Sequence, residues 1–120
     1  MPGPVEIRVP AELRQLAVVR AVASTLAERH NLDLDAISDL TMAADEVCAE
    51  LVERAQRGTT VACRFDVNNA VFRIHGSVRP QSRGAQSTTS FGWRVLTTLM
   101  DGADSWQEGK NLHISAVRTC

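Results

Sequence analysis

The apolar residues of this chain change period several times, and each change marks an element. From Val5 to Val9 they alternate, with Val5, Ile7 and Val9 on one face and Glu6 and Arg8 on the other. That pattern predicts a half-buried strand. Pro10 suits the first position of a helix, with Glu12 where the helix dipole favours an acid. Leu16, Val19, Val22, Ala23 and Leu26 then follow helical spacing, which predicts a helix over 11–29 that stops at a left-handed Asn31. A second helix, capped by Asp33 or Asp35, carries Ile37, Leu40, Ala44, Val47, Leu51 and Ala55 at spacings of three and four, as far as Gly58.

The period then returns to two. Val61, Cys63, Phe65 and Val67 share one face, and Phe72, Ile74 and Gly76 share another, around a turn at Asn68-Asn69. Arg79 to Ser90 has no period and reads as a polar loop. Phe91, Val95, Leu96 and Leu99 predict a third helix to about Met100. A last hairpin runs from Ser105, turns at Gly109-Lys110, and returns through Leu112, Ile114 and Ala116. The order is β-α-α-β-β-loop-α-β-β. Hairpins require antiparallel pairing, and three amphipathic helices need a surface to bury against. The expected fold is an α/β (α+β) two-layer sandwich: a mixed, mostly antiparallel sheet of about five strands with three helices on one face.

Composition narrows the class. The chain has 120 residues, 44% hydrophobic and 22% charged, values of a globular protein and not of a disordered or fibrous one. A single domain over 1–120 is expected. Aromatics are 4% with no Tyr, so the core is aliphatic. A net charge of −1 argues against direct binding of nucleic acid, which calls for a basic excess. The three cysteines, Cys48, Cys63 and Cys120, fit no zinc or disulfide spacing and read as reduced thiols in a cytoplasmic protein. No apolar run is long enough to span a membrane, and the N-terminus has no signal-peptide pattern.

Candidate chemistry is sparse. Asp39, Ala43, Glu46, Glu50 and Glu53 fall on one stripe of the second helix, which reads either as a solvated acidic face or as carboxylates aimed at a ligand, metal or partner. His75 and His113 fall on adjacent strands, facing away from the core, without a third convergent ligand; no metal centre is predicted. Arg79 and Arg83 are loop charges, Cys48 a packing residue, and Trp93 and Trp106 core or rim residues.

The run LTMAADEVCAELVERA, Leu40 to Ala55, resembles the N-box helix of the GHKL (histidine-kinase-like) ATPase superfamily. SFGWRVLTTLMDGADSW, Ser90 to Trp106, resembles its last glycine box, helix and following strand. With the order of elements, the similarity is to the RsbW-type anti-sigma factor and serine-protein kinase family, in its actinobacterial sigma-F branch. That resemblance places Glu46 on the family's general base and Gly92 in its nucleotide-binding glycine box. It places Arg20, in LAVVRAVASTLAE, on an Arg used in partner contact. Glu50 stands where the family has an Asn that holds Mg²⁺. The family's adenine-reading Asp-x-Gly-x-Gly box is replaced by Ser77-Val78-Arg79-Pro80-Gln81.

Active members use ATP and Mg²⁺ to phosphorylate an anti-anti-sigma protein, and they sequester a sigma factor, usually as homodimers. With these motifs degenerate, the expectation is an anti-sigma factor countered by an anti-anti-sigma factor, with little or no kinase activity and no membrane partner. The alternatives are an ATP-dependent serine-protein kinase, and a pseudo-ATPase regulatory module with another partner.

Overall fold

The computed structural model describes residues 3–82 and 90–120. Strand β1 (Val5–Pro10) leads through a short 3₁₀ turn (Leu13–Gln15) into α1 (Leu16–Arg29) and α2 (Leu34–Arg54). The hairpin β2 (Thr60–Asn68) and β3 (Val71–Val78) follows, then α3 (Phe91–Leu99), β4 (Gly102–Glu108) and β5 (Asn111–Thr119). The five strands form one sheet in the order β1-β2-β3-β5-β4, antiparallel at every pairing. The three helices cover one face, giving the two-layer sandwich.

The boundaries follow local chemistry. Asn31 ends the α1 region at φ 57°, the left-handed conformation an Asn tolerates. Of the two candidate caps for α2, Asp33 is the one used: its Oδ1 accepts from the Ala36 N–H at 2.8 Å. Pro10 ends β1 and does not open the helix, and α1 begins only at Leu16 after the 3₁₀ turn. The β2–β3 turn is shifted by one residue from the expected pair, with positive φ at Asn69 and Ala70.

Alternation does what it predicted in the sheet. Val61, Cys63, Phe65, Phe72, Ile74, Leu112, Ile114 and Ala116 are all buried under the helices. Phe65 and Phe72 meet edge to face, with ring centroids 6.5 Å apart; burying each stabilises the fold by roughly 1.5–3 kcal/mol. α2 is the central helix, packed on β2, β3 and β5 and flanked by α1 and α3. Gly76 permits that approach, because a Cβ there would sit 2.6 Å from Leu51 Cδ1 and 3.0 Å from Val47 Cγ1. Cys48 of α2 and Cys63 of β2 are both buried, with their thiols hydrogen-bonded, and this contact together with burial pushes the Cys63 thiol well up.

The opposite face of the sheet has no helix over it among the described residues. There the rings of His75, His113 and Trp106 stack across β3, β5 and β4, with His75 Nε2 and His113 Nδ1 2.9 Å apart. Loss of water and the neighbouring His113 and Arg64 hold the His75 imidazole below its usual range. Trp106 thus lies on the open face, while Trp93 is a core residue. Among the described residues no three His, Cys, Asp or Glu converge as a metal site. No described helix is long and apolar enough to cross a membrane.

Candidate functional site

The acidic stripe of α2 is not a solvated face. Its upper part packs against the end of β5, its middle against the start of α3. Asp39 Oδ2 accepts from Arg118 Nη1 at 2.6 Å, and the same Arg118 nitrogen reaches the Leu99 carbonyl at 3.3 Å. Ala43, next on the stripe, is fully buried. Glu50 is 7% exposed, the one buried charged residue of the described chain. Only Glu53, at the far end, is exposed as a solvated stripe would be.

Glu46 and Glu50 converge on one backbone atom. A Cβ built on Gly92 would overlap Oε1 of Glu46 and Oε1 of Glu50. Both carboxylates therefore rest against the Gly92 Cα, at the second residue of α3, and only a glycine fits there. Ser90 caps that helix: its Oγ accepts from the Trp93 N–H at 3.1 Å and donates to Glu50 Oε1 at 3.5 Å. Negative charge near a helix N-terminus is favoured by the helix dipole. Burial, then Glu50, then Asp45 push the Glu46 carboxyl above its ordinary range.

That shift has a consequence for stability. Between the ordinary carboxylate range and the raised value, folded Glu46 holds a proton that unfolded Glu46 has released. Stability therefore falls as pH rises through this window. Glu46→Gln should melt close to the parent near about pH 4 and above it near neutrality, a gap that opens with pH. Thermal melts across that range check it; a pH-independent gap would show that the Glu46 charge is not the cause.

The segment after β3 is also committed. The Gln56 N–H donates to the Arg79 carbonyl at 2.7 Å, and the Gln81 N–H to the Arg54 carbonyl at 2.9 Å. Gln81 Nε2 adds a bond to the Ala55 carbonyl at 3.0 Å, and Ala55 and Pro80 form an isolated β-bridge. Val78 is buried. Of the five residues that replace the adenine-reading box, Ser77 and Val78 finish β3, and Arg79, Pro80 and Gln81 fasten it to the end of α2. Arg79 is exposed, and Arg83 lies outside the described residues.

Arg20 is apart from these groups. It projects from α1 to Asp45 of α2, with Nη1 2.5 Å from Oδ1, and its side chain remains 47% exposed. The structure brings together Glu46, Glu50 and Gly92 between α2 and α3, and sets Arg20 apart from them, on α1. Asp45, Ser90 and the Asp39–Arg118 pair carry parts of this arrangement that the sequence reading missed. Ser90 was legible as an N-cap before Phe91. The two ion pairs join distant segments and leave no local signal.

A two-layer sandwich with a carboxylate-bearing central helix facing a glycine at the start of the last helix defines a class. Residues 9–116 match the histidine kinase-like ATPase domain, and the chain belongs to that family. More particularly, it is similar to the anti-sigma-F factor RsbW of Mycobacterium tuberculosis, in strains CDC 1551 / Oshkosh and ATCC 25618 / H37Rv. Each is 31% identical over 106 residues, 88% of this chain and 63% of the relative. The chain thus spans less than two thirds of the length of these relatives. A crystal structure of the RsbU and RsbW domains of Rv1364c from Mycobacterium tuberculosis superposes with a TM-score of 0.74. It covers 98% of this chain and 32% of that one at 19% identity, a likeness of fold.

The family's name implies ATP, and the residues at this site do not fit it as an ATP–Mg²⁺ pocket. A phosphate at the start of α3 would meet two carboxylates. Glu50 cannot donate a hydrogen bond while ionised. The segment where permissive glycines are expected holds Pro80, and its backbone groups are already bonded to α2.

Proposed function

We propose that this chain is an anti-sigma factor of the RsbW kind, which sequesters a sigma factor in the cytoplasm, is countered by an anti-anti-sigma protein, and has little or no kinase activity. The reading extends to a homodimer, with Arg20 as a partner contact and with Glu46, Glu50 and Gly92 retained as structure in place of catalysis. The observation that carries it is the contrast between two parts of one family domain. The start of α3 is filled by the chain's own carboxylates, whereas α1 presents a half-exposed arginine. A fold does not by itself confer its family's activity, and here the catalytic part is closed while the recognition part is open.

The test has two arms. Titration against a sigma-F-type factor, followed by calorimetry, should show a one-phase complex; absence of binding at micromolar concentrations would sink the proposal. ATP–Mg²⁺ should leave the melting curve unmoved. A nucleotide present at ten times its Kd would stabilise the fold by about 1.4 kcal/mol, a readily visible shift. Glu50→Asn alone should not restore nucleotide binding, because the Pro80 segment stays bonded to α2. A clear ATP shift in the parent protein would favour the kinase reading.

A further inference from the structure

The open face of the sheet is uneven in both height and charge. One row of side chains crosses all five strands. Arg8 of β1 stands opposite Ala62 of β2, and Ala62 opposite Ser77 of β3. Ser77 stands opposite His113 of β5, and His113 opposite Trp106 of β4. The small side chains of Ala62 and Ser77 leave a hollow of about 560 Å³, which Thr60, Asn111, Arg79 and Lys110 also line. Three of its lining residues are cations, Arg8, Arg79 and Lys110, and none is acidic. Lys110 is the only lysine of the chain.

These cations are placed but not committed. Arg79 is exposed, and its carbonyl accepts from the Gln56 N–H at 2.7 Å, which fixes where the side chain starts. Neither Arg79 nor Lys110 has an ion pair among the described residues. Arg8 pairs with Glu6 at 3.2 Å, both exposed, a contact that is worth little and exchanges readily. At the other end of the row the charge changes sign. Asp104 and Glu108 flank Trp106 on the same face of β4, and Glu108 Oε1 lies 3.7 Å from His113 Nε2.

We infer that this row seats an extended segment of a partner protein, acidic at one end, with its carboxylates in the hollow and an apolar side chain on Trp106. Guanidinium and ammonium groups beside hydroxyls suit carboxylates. The row spans four gaps between strands, about 19 Å, which an extended peptide covers in about six residues. A small anion would fill the hollow and leave the ring stack bare. A continuous polyanion such as nucleic acid would meet Asp104 and Glu108. Trp106 and His113 lie nearly parallel, at 5° and 5.2 Å, a flat platform of the residue type that anchors interfaces. Arg20 belongs to the helix layer on the other side of the sheet, so the two surfaces do not overlap.

Fluorescence anisotropy on the full chain in low-salt buffer tests this with a labelled hexapeptide of three Glu followed by Ser, Ser and Leu. It should bind at micromolar concentration, and its counterpart with Gln for Glu about tenfold or more weaker. Arg79→Glu with Lys110→Glu should weaken the acidic peptide about tenfold or more, since each change replaces an attraction by a repulsion. Both side chains are exposed, so the melting curve should hold. Arg14→Glu with Arg29→Glu, the same change in net charge on the helix side, should leave binding unchanged. Replacing the peptide's Leu by Ser should cost about threefold.

Equal binding of the Glu and Gln peptides, or no binding of either, would overturn the site. An equal loss from the Arg14 and Arg29 changes would reduce it to attraction by net charge and overturn it as well. Indifference to the Leu would overturn the extended seat in favour of a small-anion site.

Discussion

Arg20→Ala should weaken the complex with a sigma factor by about thirtyfold or more and leave the melting temperature almost unchanged. A buried-on-binding Arg at the centre of an interface is worth about 2 kcal/mol or more when truncated. The same residue does little for the free fold. Its ion pair with Asp45 is short, 2.5 Å, but the two side chains are 47% and 30% exposed. Pairs in that setting contribute at most about 1 kcal/mol.

Asp45 has a second consequence. Before a partner's carboxylate can take Arg20, it must displace Asp45. Asp45→Asn should therefore tighten binding several-fold, the opposite sign to Arg20→Ala. Arg20→Lys should recover only part of the loss, since an ammonium lacks the planar fork of a guanidinium. Equal affinities for all three variants would remove Arg20 from the recognition surface.

The second large effect belongs to Gly92. Gly92→Val should destabilise the fold by roughly 2–3 kcal/mol, as forced overpacking does. The incoming Cβ would collide with Oε1 of both Glu46 and Glu50 and lie 3.1 Å from Glu50 Cδ. Glu46 can swing toward water. Glu50, at 7% exposure, has far less room. The cost should therefore depend on Glu50. In a Glu50→Ala background Gly92→Val should cost much less, a coupling readable from urea denaturation of the four proteins in the cycle. Additive costs would show that the carboxylates are not what the glycine accommodates.

Much of this was legible in the sequence, and the reason is specific. β2, β3 and β5 bury one face and solvate the other, so a period of two names both the strands and their inward residues. α2 was the clearest helix because Leu40, Ala44, Val47 and Leu51 form an unbroken stripe, and all four are buried. The polar side of the same helix was harder. Asp39, Glu46 and Glu50 at helical spacing look the same whether they face water or another helix. Period reports which residues share a face, not what the face meets.

Phe91 shows the limit from the other side. Its spacing with Val95 and Leu99 placed it inward, yet it is 82% exposed. The buried side of α3 is Gly92, Trp93 and Leu96, set by the carboxylates that Gly92 must clear. The Arg20–Asp45 and Arg118–Asp39 pairs depend on how α1, α2 and β5 come together. No window of a few residues contains that information.

The first strand leaves a mark on how the chain assembles. β1 is an edge strand, and Val5 pairs with Phe65 while Pro10 pairs with Thr60. Both long helices lie in the loop this pairing closes. The β2–β3 and β4–β5 hairpins join neighbours in sequence and need little chain entropy to form, whereas docking β1 costs the closure of the longest loop in the sheet. Such an edge is the natural first part of the sheet to open and last to close. Because Val5 lines a groove beside α1, the order of assembly places the final outer surface of α1 under the control of the six residues that precede it as a strand.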